Sequence, residues 1–180
     1  MDGRARSTRR TTATVALATA WAGALAVNRS LRTVRGPSME PTLHDGDLLA
    51  VVPWVRGRRD DVVLVRDPRE PSRVTVKRLL GLPGEELRLL DGMLHVDGML
   101  HDEPWATGHT PDATLHVPAG HVAVLGDARD RSTDSRVFGP VPLALVEGRV
   151  VARVGPAPRL LSASGPGRLS GRPPASWRIR

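Results

Sequence analysis

Eight short apolar runs separated by turn signals constrain this chain more than any other feature. They are residues 48–52 (LLAVV), 62–65 (VVLV), 74–80, 87–90, 94–96, 115–117, 121–125 and 149–154. All are short and rich in valine and leucine, a composition that suits a pleated strand packed on a core. Between them lie Asp45-Gly46, Pro53, Asp67-Pro68, Pro83-Gly84, Asp91-Gly92, Asp97-Gly98 and Gly126-Asp127. Such residues accept or impose the backbone angles of tight turns. Short strands with this punctuation predict a mainly β domain, built as a sandwich or a partly closed barrel. The segment LRLLDGMLHVDG reads as a hairpin turning at Asp91-Gly92. No long amphipathic helix and no internal repeat follows residue 28.

The ends of the chain differ from its middle. Residues 1–10 hold Arg4, Arg6, Arg9 and Arg10, and residues 11–27 (TTATVALATAWAGALAV) carry no charge. That run is slightly shorter than the ~20 residues of a typical membrane span. It reads as a retained membrane-anchor helix or as a cleavable signal peptide with Ala24-Leu25-Ala26 as the small-residue cut site, with a buried soluble helix as the third option. Arg29, Arg32 and Arg35 follow it, so the charge bias sets the N-terminus on the cytoplasmic side by a narrow margin. Residues 28–155 form the expected β-rich domain. Residues 156–180 are rich in Gly, Pro, Ser and Arg and read as a disordered tail.

Composition removes several classes of function. The chain has no cysteine, which excludes a thiol nucleophile and a thiolate metal site. The net charge of +7 suits nucleic acid or an anionic membrane. Aromatics are only 3% and tyrosine is absent, so the stacking platform of a single-strand binder is missing. Attraction to membrane lipid beside the apolar segment is the better use of the charge, and nucleic acid is not an expected partner. The six histidines (44, 95, 101, 109, 116 and 121) lack metal-ligand spacing and read as surface and strand-end residues.

Among 26 basic side chains only Lys77 is lysine. Arginine keeps its proton in proteins, whereas a desolvated lysine can lose it. Lys77 lies inside Val74-Thr75-Val76-Lys77-Arg78-Leu79-Leu80, sharing a face with Thr75 and Leu79, while Arg78 on the other face is expected to be exposed. Apolar surroundings would lower the pKa of Lys77 and let its amine take the proton of a serine hydroxyl. A serine in a distinctive setting lies upstream, in Gly36-Pro37-Ser38-Met39-Glu40-Pro41-Thr42-Leu43. Its two prolines predict a rigid extended bend. Glu40 stands where the nucleophile elbow of hydrolases needs glycine, so that motif does not apply. A third block, Gly126-Asp127-Ala128-Arg129-Asp130-Arg131-Ser132-Thr133-Asp134-Ser135-Arg136, alternates in charge, and it lacks the glycine of a calcium loop.

Taken together, the three blocks resemble type I signal peptidases (leader peptidases), membrane-bound serine peptidases that remove signal peptides from exported proteins. The resemblance spans roughly residues 11–155 and includes Asp45-Gly46-Asp47 before the next strand. It implies a signal-peptidase-like β core tethered by one N-terminal transmembrane helix, with the catalytic domain on the extracytoplasmic side of the cell membrane. It implies Ser38 as nucleophile, Lys77 as general base and Ser132 as the residue that orients the lysine. Asp127, Arg129, Asp134 and Arg136 match a charged scaffold, with Asp134–Arg136 the expected salt bridge. Met39 and Leu43 match positions lining a small-residue pocket, and Gly36 leaves the Ser38 N–H as main oxyanion donor. The implied partners are signal peptides of secretory preproteins and membrane lipid, with no metal and no other cofactor. Ala128 and Arg131 depart from the asparagines usual in the family, and an inward Arg131 would further depress Lys77. The short segment before the third block leaves no room for a large accessory domain. A dedicated maturation peptidase of the same chemistry, or a non-catalytic membrane-anchored β module, are the alternative readings.

Overall fold

Every one of the eight apolar runs lies in or overlaps a strand. The computed structural model describes residues 31–53, 57–155 and 158–161. In chain order these form β1 (Leu31–Thr33), β2 (Leu48–Pro53), β3 (Val62–Asp67), β4 (Glu70–Gly81), β5 (Glu86–Leu90), β6 (Met93–Val96), β7 (Met99–His101), β8 (Ala113–His116), β9 (His121–Leu125), β10 (Val141–Pro142), β11 (Val146–Val154) and β12 (Arg159–Leu160). One short helix, α1 (Ser135–Phe138), and two 3-10 turns (Arg129–Arg131 and Leu143–Leu145) complete the elements. The larger sheet runs β1-β2-β11-β3-β4-β9-β10, with β12 also on β11, and the smaller runs β7-β6-β5-β8. All of these pairings are antiparallel.

Burial explains why β3 reads as a continuous apolar run. Val62 and Leu64 pack with Met39, Leu43, Leu49 and Val150 on one face. Val63 and Val65 pack with Leu79, Val122, Val124 and Val141 on the other. A strand covered on both faces has no polar side to alternate with. The smaller sheet alternates instead: Leu87 and Leu89 of β5, with Leu94 and Val96 of β6, bury against Leu80, Ala123 and Leu125. Its hairpins turn at Asp91-Gly92 and Asp97-Gly98, with φ of 50° and 79°, then 49° and 77°. Positive φ at both central residues is the tight turn that matches strand twist.

The segment between Lys77 and the third block forms the four-stranded smaller sheet. Residues 159–161, read as part of a disordered tail, instead pair with β11 and bury Leu161 in the core. The coil around Ser38 also differs from the expected extended bend and belongs to the site. The basic segment, the uncharged run 11–27 and residues 162–180 lie outside the described residues. Among those described, no helix is long and apolar enough to cross a membrane.

Candidate active site

Ser38 sits in the connection between β1 and β2. Its segment is coiled rather than extended: Glu40 N–H donates to Pro37 O at 3.1 Å and Leu43 N–H to Met39 O at 2.8 Å. Gly36 enters the turn at φ 83°, where a side chain is rarely tolerated, and its N–H donates to Asp45 Oδ1 at 2.7 Å. Met39 and Leu43 pin the coil from below. They are 1% and 0% exposed and belong to the core beside β3.

Lys77 reaches the same place from β4. Its Nζ donates to Ser38 Oγ at 2.8 Å and to Val76 O at 3.1 Å. The residue is 3% exposed. Burial draws its pKa from 10.5 down to about 8; Arg73 and Arg136 push the same way, while Asp134 and Asp127 oppose. An amine with that pKa is neutral in a useful fraction of molecules near neutral pH. Neutral Nζ has a lone pair and can accept the Ser38 proton.

The third block frames this pair. Arg136 grips Asp134 with two parallel bonds, Nε to Oδ1 at 2.8 Å and Nη2 to Oδ2 at 2.7 Å, as the sequence leads one to expect. Gly126 N–H donates to Asp134 Oδ2 at 2.9 Å, and Asp134 caps α1 through the Arg136 N–H. Burial alone would raise the pKa of Asp134, but the Arg136 and Gly126 hydrogen bonds outweigh it and hold it low. Ser132 Oγ is buried and makes no hydrogen bond, so the expected bond to Lys77 is not formed. It stands near enough to Asp134 to favour the ionised carboxylate. It also packs on Gly126, where a Cβ would lie 2.2 Å from Ser132 Oγ and 2.5 Å from Ser38 O. Gly126 therefore lets both serines close on one point of the backbone, a role its position at the head of the block could have signalled.

Asp127 is paired with Arg78, not with a residue of its own block. Arg78 Nε and Nη2 donate to Asp127 Oδ1 and Oδ2 at 2.8 and 2.6 Å, and Thr42 Oγ1 donates to Oδ2 at 2.5 Å. The expected exposure of Arg78 is wrong: it is 6% exposed and lies 4.2 Å from the Trp105 ring centre. Trp105, on the loop after β7, covers it. The arrangement ties β4, the Ser38 segment and the third block at one carboxylate. Arg129 is also buried and donates to Glu103 Oε1 at 2.5 Å. Burial raises the pKa of Glu103, with Arg129 opposing. Arg131 pairs with Glu40 at 2.9 Å and is not among the groups that shift Lys77. His101, at the end of β7, is buried with Nε2 2.8 Å from Asp60 Oδ1.

A cleft of about 520 Å³ opens over Ser38 and Lys77, lined by residues 32–39 and 73–77 with Leu64, Arg131 and Thr133. Met39 lines it; Leu43 does not, being wholly within the core. Along its wall β4 is paired with β3 on one side, whereas β9 covers only Arg78–Gly81 on the other. Residues 70–77 thus present an edge with no neighbouring strand among the described residues. An extended chain can add to such an edge.

Residues 6–155 match the family model of signal peptidase, peptidase S26. The chain belongs to this family. It is 41% identical over 128 residues to mitochondrial ATP-independent inner membrane protease subunit 1a of Arabidopsis thaliana, covering 68% of each chain. It is 38% identical over 119 residues to signal peptidase I of Bacillus licheniformis, covering 57% of this chain and 63% of the relative. A signal peptidase I of Enterococcus faecalis, solved by crystallography, shares 35% identity over 53% of this chain and 97% of its own, with a TM-score of 0.49. As a signal peptidase family member the chain is a serine endopeptidase with a mainly β fold.

Proposed function

We propose that this chain is a membrane-bound signal peptidase that removes signal peptides from exported preproteins with a Ser38–Lys77 dyad. The observation that carries the reading is the 2.8 Å contact between Lys77 Nζ and Ser38 Oγ inside a cleft. A signal-peptide segment lies extended along the open edge of β4. Neutral Lys77 takes the Ser38 proton as Oγ attacks the scissile carbonyl. The oxyanion is met by the Ser38 N–H, which has no hydrogen-bond partner among the described residues. The lysine ammonium then protonates the leaving amine, and the mature protein departs from the acyl-enzyme. Lys77 next takes a proton from water, whose oxygen attacks the ester and releases the signal peptide.

Asp127, Arg129, Asp134 and Arg136 hold geometry in this scheme. Ser132 orients Lys77 once substrate is bound. Residues 11–27 anchor the enzyme, and the domain works on the extracytoplasmic side of the cell membrane. The test is incubation of the detergent-solubilised full chain with a secretory precursor, followed by sequencing of the product's new N-terminus. A single cut after an Ala-x-Ala segment, absent with Ser38→Ala, is expected. Processing that persists in the purified Ser38→Ala protein rejects the nucleophile, and a cut elsewhere rejects the substrate class.

A further inference from the structure

The cleft beside Ser38 is basic in a way the rest of the domain is not. Arg32, Arg35, Arg73, Lys77 and Arg131 line it, and no carboxylate does. Elsewhere most described arginines find acids, among them Arg59 with Glu85, Arg66 with Glu147, Arg78 with Asp127 and Arg129 with Glu103. In the cleft Lys77 is engaged with Ser38 and Arg131 with Glu40. Arg35 and Arg73 are exposed and make no ion pair or side-chain hydrogen bond among the described residues. Arg73 lines the cleft together with Thr75 and Lys77, in the stretch where β4 breaks register with β3. Unpaired guanidinium groups over a groove that binds extended chain are suited to grip a carboxylate of that chain.

We propose that Arg73 and Arg35 make this peptidase select precursor segments bearing an Asp or Glu close to the scissile bond. The inference rests on the Ser38–Lys77 reading and specifies which sequences that site prefers. Arg73 precedes Lys77 by four positions, which at about 3.3 Å per residue is at most about 13 Å along the edge, since β4 bulges before Val74. A carboxylate opposite Arg73 is therefore about four residues from the cut. Arg35, just before the Ser38 coil, reaches positions nearer to it.

The experiment uses the full chain in detergent and peptides built on one Ala-x-Ala site. A single Asp is moved through about five positions on each side of the cut, and each peptide is compared with its Asn counterpart. The ratio of kcat/KM for Asp over Asn is the readout, so any effect of a variant on Lys77 itself cancels. A ratio of about fivefold is expected at positions near four residues from the cut, the size of a partly exposed ion pair. It should shrink in about 0.5 M NaCl, where exposed charges are screened. Arg73→Glu should turn the preference toward Lys at the same position. A ratio below about twofold at every position overturns the inference, as does a preference indifferent to both salt and charge reversal. The wild-type salt series decides the matter even if Arg73→Glu disturbs the cleft. Vesicles of anionic phospholipid that hold the wild type more tightly than Arg35→Ser or Arg73→Ser, with no peptide preference, would assign these arginines to lipid and also overturn it. Failure to cut even the Asn peptides indicts the signal-peptidase reading itself; cutting them all equally indicts only the selectivity.

Discussion

Replacing Lys77 by methionine should abolish cleavage and make the protein more stable at neutral pH. Methionine keeps an unbranched chain of similar reach and carries no charge to desolvate. Burial has moved Lys77 from 10.5 to about 8. At about 1.4 kcal/mol per pH unit, that difference amounts to roughly 3 kcal/mol of folding stability surrendered below pH 8. The sign follows from proton counts. Between pH 8 and 10.5 the unfolded chain binds the Lys77 proton and the folded chain does not, so stability rises with pH through that window and the deficit is fully present below it. The variant also loses the bonds to Ser38 and Val76, about 1 kcal/mol in total after exchange with water. The net expectation is a gain of about 2 kcal/mol at pH 7, fading to none or reversing near pH 10.5. Urea unfolding of the wild type and Lys77→Met at both pH values measures it. A variant less stable than the wild type at pH 7, or a difference that does not change with pH, would refute the claim that the lysine is held at a cost.

Lys77→Arg should lower kcat/KM by at least about 10²-fold, because the guanidinium keeps its proton; precursor cleavage at a rate near wild type would contradict this. The wild-type rate should climb about tenfold between pH 6 and 7 and level off above about pH 9, as a base with a pKa of about 8 empties of protons; a flat profile over that range would count against Lys77. Gly126→Ala would drive a methyl into Ser132 Oγ and Ser38 O, costing about 1–3 kcal/mol and most of the activity; thermal unfolding and peptide turnover together measure it. Asp127→Asn strips a buried guanidinium of its charge partner and should destabilise by about 3–5 kcal/mol, read as a lower urea midpoint. Ser132→Ala should reduce kcat more than KM if it orients the lysine with substrate bound, and an effect on KM alone would remove it from that role.

The strands were legible because each has a local cause: an apolar run between residues that must turn. β1, β7, β10 and β12 escape that reading because they are two or three residues long and take their order from a neighbour. Ser38, Lys77 and the Asp134–Arg136 clasp could be named from motifs. The surroundings of Arg78 could not. Alternation puts it on the face opposite Lys77, and nothing local says that Trp105 and Asp127 will close over that face. Leu43 was legible as apolar but not as core rather than cleft, a distinction set by how the Ser38 segment coils. Ser132 was legible by position, while its missing partner is a matter of ångströms. Arg73 could have been noticed, since it stands two alternations before Lys77 on the same strand.

The bare flank of β4 has a consequence for what this enzyme tolerates. A docking rail of main-chain amides and carbonyls senses the shape of a polypeptide before its side chains. Helices and folded domains keep their own peptide groups occupied and have none to lend. On the proposed mechanism only a stretch already pulled straight can be handed to Ser38, so a mature cargo that folds quickly would be spared even where its sequence would pass.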